Sequence, residues 1–414
     1  MPTVVLIGTL DTKGEEYAFV QRVIEGRGCT TLVVDVGISP APDYKADIGS
    51  DKVAAAGGAD LQSLRTGNDR GQAMEVMARG AAETVRELYQ SGRLDAVLAL
   101  GGSGGTSVAT AAMRALPIGV PKLMVSTVAA GDVAAYVGTS DIMMLYPVID
   151  IAGINIISER VLSNAAVAVA AMALAAAQTG PLRATRRVVA ITMFGVTTPA
   201  VTVARTWLEG AGYEVLVFHA NGAGGRAMEA LMRDGVIEGV LDLTTTELAD
   251  ELVGGTLSAG PDRLEAAGAL GLPQVVSLGA LDMVNFGAIG TVPEKFHKRR
   301  FYRHNPHVTL MRTTPEECSE LGAMVARKLN CAKGPVTVFV PLRGTSSISA
   351  QGGVFHDAAA DRALIAGLKA NLDPAIACVT SDAAINDKDF ALAMAHELDA
   401  HMKLDAHMKK DGKQ

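Results

Sequence analysis

The stretch Leu98-Ala-Leu100 runs into Gly101-Gly-Ser-Gly-Gly-Thr-Ser107, so four glycines fall within five residues between an apolar run and a helical pattern. Such a segment leaves its backbone amides exposed. At a strand-to-helix junction those amides can wrap an anion, with the helix dipole adding to the attraction. A tight turn packing a helix on a sheet is the structural alternative, but it requires one glycine rather than four. Gly101, Gly102, Ser103, Gly104, Gly105 and Thr106 therefore read as a phosphate cradle. The same residues match G-x-S-x-G, which would make Ser103 a hydrolase nucleophile. No HGGG-type oxyanion loop accompanies them, and none of the eight histidines stands out as a partner.

A second candidate lies at Gly8-Thr-Leu-Asp-Thr-Lys-Gly-Glu-Glu16, after the first apolar run. Gly8 would permit close backbone approach, Thr9 and Thr12 offer hydroxyls, Lys13 a phosphate partner, and Asp11 a cap or ligand contact. This is neither a Walker A loop nor a G-x-G-x-x-G fingerprint. A third is Ser126-Thr-Val-Ala-Ala-Gly-Asp132. Here Ser126, Thr127, Gly131 and Asp132 either meet the ligand, with hydrated Mg2+ as an option, or serve as ordinary caps and turns. Downstream, Met193-Phe-Gly-Val-Thr-Thr-Pro199, Asn221-Gly-Ala-Gly-Gly225, Thr244-Thr-Thr-Glu247, Gly279-Ala-Leu-Asp282 and Val340-Pro-Leu-Arg-Gly-Thr-Ser-Ser347 all follow candidate strands. Thr197, Thr198, Arg343 and Gly344 are expected to face the first set across a cleft, Arg343 as a fork for phosphate or carboxylate.

These loops need strands to end them and helices to follow. Val4–Ile7, Thr31–Val36, Ala96–Leu100 and Lys122–Val125 are near-continuous apolar runs, as expected of parallel strands covered on both faces. Helical patterns intervene at Glu15–Glu25, Gly71–Tyr89, Ser107–Arg114 and Ser158–Gln178. The polar segment Thr179–Arg187 marks a boundary. A second set follows, with strands at Val188–Met193, Glu214–Phe218, Gly239–Asp242, Gln274–Leu278, Thr309–Met311 and Thr337–Val340. A helix over Ala391–Met408 closes the chain, and Lys409–Gln414 is expected to fray. An offset of 184 aligns Val4–Ile7 with Val188–Ile191 and Glu25-Gly-Arg-Gly28 with Glu209-Gly-Ala-Gly212. The expectation is α/β: two Rossmann-like three-layer lobes, residues 1–183 and 184–414, with mainly parallel sheets and an interlobe cleft.

A length of 414 residues suits two or three domains. With 49% hydrophobic and 4% aromatic residues the core must be aliphatic. The net charge of −7 argues against broad nucleic-acid binding, so the basic stretch Lys295–His304 reads as a solvated loop or an oligomer contact before it reads as an RNA surface. Cys29, Cys318, Cys331 and Cys378 form no Cys-x-x-Cys pair and read as reduced thiols. His297, His304 and His307 lack zinc-site spacing, and no metal site is expected; His396, His401 and His407 read as surface residues. No signal peptide is visible. The apolar run Ala165–Ala177 has 13 residues against the roughly 20 a bilayer requires. It reads as a buried helix, with no membrane partner and a cytoplasmic location.

The chain resembles a largely uncharacterised family of bacterial and plant proteins that includes the ATP-binding N-terminal module of the tomato tobamovirus-resistance protein. The resemblance lies in Gly8–Glu15, Gly101–Thr106, Ser126–Gly131, Met193–Pro199, Ala280–Gly287, His304–Thr313 and Pro341–Gly344. It spans nearly the whole chain. It implies two Rossmann-like subdomains, ATP binding and a homodimer. It also implies a partner, since plant members fuse this module to a barrel that bacteria often keep as a separate protein. Ala130 departs from the family pattern, where a small hydroxyl is expected, and so does Ser349, where Asp is expected.

The expected function is a nucleotide-binding protein, with ATP and accompanying Mg2+, acting as an ATP-dependent metabolic enzyme beside a barrel-type partner. Two alternatives stay open: an enzyme on a sugar or acyl phosphate without ATP, and a non-catalytic regulatory module. No catalytic residue, substrate or reaction is assigned.

Overall fold

The computed structural model describes residues 1–39, 44–67, 69–179 and 184–411. Parts of the expected boundary segment (180–183) and of the expected frayed end (412–414) lie outside the described residues. The chain divides into two compact units, Met1–Arg183 and Ala184–Gln414.

In the N-terminal unit the order is β1 (Thr3–Gly8), α1 (Leu10–Glu25), β2 (Thr30–Asp35), α2 (Ser50–Ala56), α3 (Leu61–Thr66), α4 (Arg70–Gln90), β3 (Ala96–Gly101), α5 (Ser103–Arg114), β4 (Lys122–Ser126), α6 (Ala134–Val137), β5 (Met143–Leu145) and α7 (Ile156–Thr179). The five strands form one parallel sheet, β2-β1-β3-β4-β5. Successive residues of a strand face opposite sides, and both sides are covered. Val5, Ile7, Val97 and Ala99 pack with Met77, Val85 and Met113 of α4 and α5. Val4, Leu6, Leu98 and Leu100 pack with Tyr17 and Val20 of α1 and Leu162 and Ala166 of α7. Alternation of this kind explains why these strands read as unbroken apolar runs.

Helix α7 is longer than its alanine-rich run. By length and composition it could cross a bilayer, but one row of it, Leu162, Ala165, Ala166, Val169, Ala170 and Ala173, is buried in the second of these two cores.

The C-terminal unit runs β6 (Val188–Met193), α8 (Thr198–Gly210), β7 (Glu214–His219), α9 (Ala223–Arg233), β8 (Gly239–Thr244), α10 (Glu247–Val253), α11 (Ala266–Leu270), β9 (Gln274–Gly279), β10 (Met283–Phe286), β11 (Phe301–Asn305), β12 (Val308–Arg312), α12 (Pro315–Leu329), β13 (Val336–Pro341), α13 (Ala358–Asn371), β14 (Ala377–Ser381) and α14 (Lys388–Asp411). Six strands make a second parallel sheet, β14-β13-β9-β8-β6-β7. Thr309–Met311, expected in that sheet, instead sits in β12 of a three-stranded antiparallel sheet, β10-β12-β11. Only Pro306 and His307 separate β11 from β12. So short a link closes a hairpin, whereas a parallel neighbour needs a crossover of a dozen residues or more. The basic stretch at 295–304 is therefore partly an edge strand. Within it Arg299 is tied bidentately to Glu317 at 2.6 and 2.9 Å.

Two helix starts differ from expectation. Helix α1 begins at Leu10, leaving Thr9 as the one linking residue, with a non-helical step at Lys13. The glycine run likewise forms the first turn of α5, not a loop, with extended Gly102 as its N-cap. Glycine is a poor helix former, but here Thr106 pins the turn to the sheet. Its hydroxyl donates to Gly102 O at 2.7 Å and lies 2.6 Å from Ser126 Oγ at the end of β4.

Candidate functional site

From β1 the chain passes to β2 on one side and later returns to β3 on the other, so the carboxyl ends of β1 and β3 border a topological switch point. Their ladder ends at the pair Ile7–Ala99. Beyond it the strands are bridged by Tyr17 of α1, whose hydroxyl accepts from Leu100 N at 2.7 Å and reaches the carbonyls of Ile7 and Leu100. Burial pushes this phenol far above its ordinary range. The ring lies against the bare Cα of Gly8, where a β-carbon would stand 2.0 Å from it. Gly8 is thus required by Tyr17: the close approach that its missing side chain permits is that of a ring of the chain itself.

Above this bridge opens a cavity of about 560 Å³. One wall is the first turn of α5. The amides of Ser103, Gly104 and Gly105 have no acceptor among the described residues, as geometry requires of an uncapped helix start. Thr9, Asp11, Thr12 and Lys13 form a second wall. The third comes from the β2-to-β3 connection and was missed by sequence reasoning: Val36, Ile38, Leu64, Ala73 and Met74 are apolar, and Arg65 and Arg70 carry charge. Arg70 and Met74 sit one turn apart on α4. A β-carbon at Gly104 would lie 3.3 Å from Met74 Cε and 3.7 Å from an Arg70 terminal nitrogen. The helical pattern starting at Gly71 was the only available signal, and it carried no hint of which strand end it approached.

Lys13 Nζ donates to the carbonyl of Ile151, ahead of α7. Asp11 accepts from Ser39 N at 3.1 Å through Oδ2, while its Oδ1 is buried without a partner. Asp35, at the end of β2, turns inward and accepts from Leu10 N (3.2 Å) and Gly37 N (2.8 Å). Burial raises its carboxyl, against those two hydrogen bonds. A Rossmann site that binds NAD uses an acidic residue about 20 residues after its glycine loop for the ribose 2′-hydroxyl. The last acid of β2, Asp35, is committed to the backbone instead.

Thr106, Ser126, Thr127, Gly131 and Asp132 do not line the cavity. Ser126 is fully buried and accepts from Val128 N. Thr127 N donates to Gly101 O at 3.3 Å, and Asp132 caps Ala134 N at 2.9 Å. These are positioning contacts. Ser103 has none of the backbone strain of a nucleophile elbow, since among the described residues the non-glycine positions with positive φ are Val148, Leu264 and Ala280. No histidine lines the cavity.

The C-terminal sheet has its own switch point, between β6 and β8. There the polar groups are turned inward. Thr197 and Thr244 are fully buried and their hydroxyls lie 2.8 Å apart; Thr198 is exposed and bonds its own helix turn. The glycine loop Asn221–Gly225 holds a carboxylate of the chain itself: Glu247 accepts from Gly222 N at 2.7 Å and Gly225 N at 3.0 Å. A β-carbon on Gly225 would stand 2.2 Å from that carboxylate. Glu247 in turn meets Arg263 at 2.7 Å, and Arg263 pairs bidentately with Asp242 at 2.5 and 2.7 Å. Burial alone would lower this guanidinium, but Asp242, Glu247 and Glu229 hold it protonated well above the ordinary arginine range. The N-terminal amide of Ala200 in α8 is taken by Asn386 at 3.3 Å. Arg343, expected as an anion fork, is exposed and faces Asp387 at 3.2 Å and Asp382 at 3.7 Å. Gly344 has φ +129° and a β-carbon there would meet Ala350, so it serves a tight turn. Ser349 closes that turn by accepting from Thr345 N and Ser346 N, both at 3.0 Å. His401, expected at the surface, is half-buried, 2.9 Å from Thr337 Oγ1.

Fold and site together define a two-unit, doubly wound α/β protein with an open crevice at the strand ends of its first unit. The chain belongs to the uncharacterised protein family UPF0261, whose N-terminal domain matches residues 2–178 and C-terminal domain residues 186–402. A UPF0261 protein of Clostridium tetani is 51% identical over 95% of this chain and 98% of its own length. The tomato ToMV resistance protein Tm-1(GCR237) is 40% identical over 95% of this chain, which spans 55% of that longer protein. The UDP-GlcNAc 2-epimerase of Neisseria meningitidis, solved with UDP-GlcNAc, aligns over 67% of this chain and 82% of its own at 12% identity; its TM-score of 0.25 is too low to support any inference.

Proposed function

We propose that the N-terminal unit binds a nucleotide, ATP, in the crevice at β1 and β3. The observation that carries this reading is the conjunction, in one cavity, of three acceptor-free amides at the start of α5, the side chains of Lys13, Arg65 and Arg70, and an apolar wall of Val36, Ile38, Leu64 and Met74. Amides and cations suit a phosphate chain, and the apolar wall suits a base. The volume falls within the range of pockets that take ligands of this size. Mg2+ would accompany the phosphates, with Asp11 the carboxylate able to meet it or its waters.

The resemblance further supports a module that works beside a barrel-type partner, as a homodimer, in the cytoplasm. The cavity itself offers no nucleophile–base pair, so the reading is one of binding, with turnover left to an assembled system.

The test is Gly104→Val, whose branched side chain would project over the amides. ATP affinity measured by calorimetry falls at least about tenfold, roughly 1.4 kcal/mol, while circular dichroism is unchanged. Equal affinity in the folded variant would overturn the reading.

A further inference from the structure

We infer that Arg70 reads the terminal phosphate, so that the crevice selects nucleoside triphosphates over di- and monophosphates. This rests on the nucleotide reading above. Arg70 is the first residue of α4, behind the N-cap Asp69, which accepts from Gln72 N at 3.0 Å. A cation is disfavoured at a helix start, where the dipole is positive. Arg70 nonetheless stands there, exposed, and its guanidinium makes no hydrogen bond or ion pair among the described residues.

The other two cations of the cavity wall are committed. Lys13 is held by the Ile151 carbonyl, and Arg65 Nε donates to Ile38 O at 2.5 Å. Arg70 alone among the three makes no bond at any side-chain nitrogen among the described residues, whereas Arg65 keeps only its terminal nitrogens free. The Arg70 terminal nitrogen lies 3.7 Å from the point a Gly104 β-carbon would occupy. A phosphate chain that rests its inner phosphate on the Ser103–Gly105 amides can therefore bring its outer phosphate to the guanidinium fork, which pairs with phosphate bidentately. Each added phosphate brings charge toward a cation that has no competing partner. A ligand with one phosphate is satisfied by the amides alone.

The experiment is calorimetric titration of wild type, Arg70→Ala and Arg70→Lys with ATP, ADP and AMP. Wild type is expected to bind ATP tightest and AMP weakest. In Arg70→Ala the ATP affinity falls roughly tenfold to a hundredfold, the loss of a charge-assisted hydrogen bond, and AMP changes by less than about threefold. Arg70→Lys recovers part of the loss, keeping charge without the fork. Unliganded melting of neither variant falls below that of wild type, because Arg70 has no partner to lose and stands at a disfavoured helix start. Unchanged ATP affinity in Arg70→Ala, or equal losses for all three nucleotides, overturns the selection inference and leaves the nucleotide site standing. A wild-type protein that binds none of the three overturns both.

Discussion

The Tyr17 hydroxyl lies 2.7 Å from the Leu100 amide and takes the place of a ladder contact where β1 and β3 part. A buried side chain of α1 thus ties the ends of β1 and β3 together beneath the crevice, and the segments that follow the two strands are registered to each other through it.

Removing that oxygen leaves a buried amide unsatisfied. Tyr17→Phe is expected to destabilise the protein by about 1–3 kcal/mol, read from urea unfolding. Gly8→Ala is expected to destabilise by at least a similar amount, about 1–3 kcal/mol for overpacking, because the ring cannot retreat while its hydroxyl stays bound. A Gly8→Ala protein as stable as wild type would show that Tyr17 is mobile in its seat.

On the nucleotide reading, Ser103 serves the crevice through its backbone amide and not as a nucleophile. Ser103→Ala is expected to leave ATP affinity within about tenfold of wild type, the weight of one neutral hydrogen bond. Covalent labelling of Ser103 by a fluorophosphonate would revive the hydrolase alternative.

Glu247 fills the glycine loop of the C-terminal unit, so one nucleotide per chain is expected in calorimetry. Glu247→Ala strips Arg263 of a partner in a fully buried network. The expected cost is about 3–5 kcal/mol, typical of breaking a buried pair, visible as a lower denaturation midpoint. Two equivalent nucleotides bound per wild-type chain would contradict the filled-loop geometry.

Asp250 links α10 to β10. Its Oδ1 accepts from Asn285 N at 3.0 Å and Leu257 N at 3.2 Å, and its Oδ2 from Asn285 Nδ2 at 2.6 Å. Burial pushes its carboxyl up to about 7, although those hydrogen bonds pull it down. The folded state then holds a proton that the unfolded chain releases near pH 4. Asp250 therefore contributes stability below that pH, and the contribution is lost as pH rises toward 7. Turning the Asn285 amide over would let its carbonyl, otherwise buried without a partner, accept the Asp250 proton. Asp250→Asn is expected to flatten the fall in unfolding free energy between about pH 4 and 7. Parallel pH profiles for variant and wild type would place the ionisation elsewhere.

Much of this protein is legible along the chain. The apolar runs of β1 to β4, β6, β8, β9 and β13 are local patterns set by burial on both faces, and two βαβ starts read directly from their spacing. The crevice wall at Gly101–Gly105 is legible for a similar reason, since a dense glycine run after a strand has few uses. What surrounds a glycine is a different matter, because the residue reports only that a side chain is missing and not what fills the space. At Gly8 the occupant is the ring of Tyr17, nine positions on. At Gly222 it is the carbonyl of Ser258, at Gly225 the carboxylate of Glu247 twenty-two positions away, and at Gly104 the thioether of Met74 beside the Arg70 guanidinium. The helical pattern over Gly71–Tyr89 announced α4, but not that its first turn would arrive over α5. That encounter depends on the crossover from β2 and on helix packing across the sheet, and so only tertiary structure separates the glycines that admit a ligand from those that admit the protein itself.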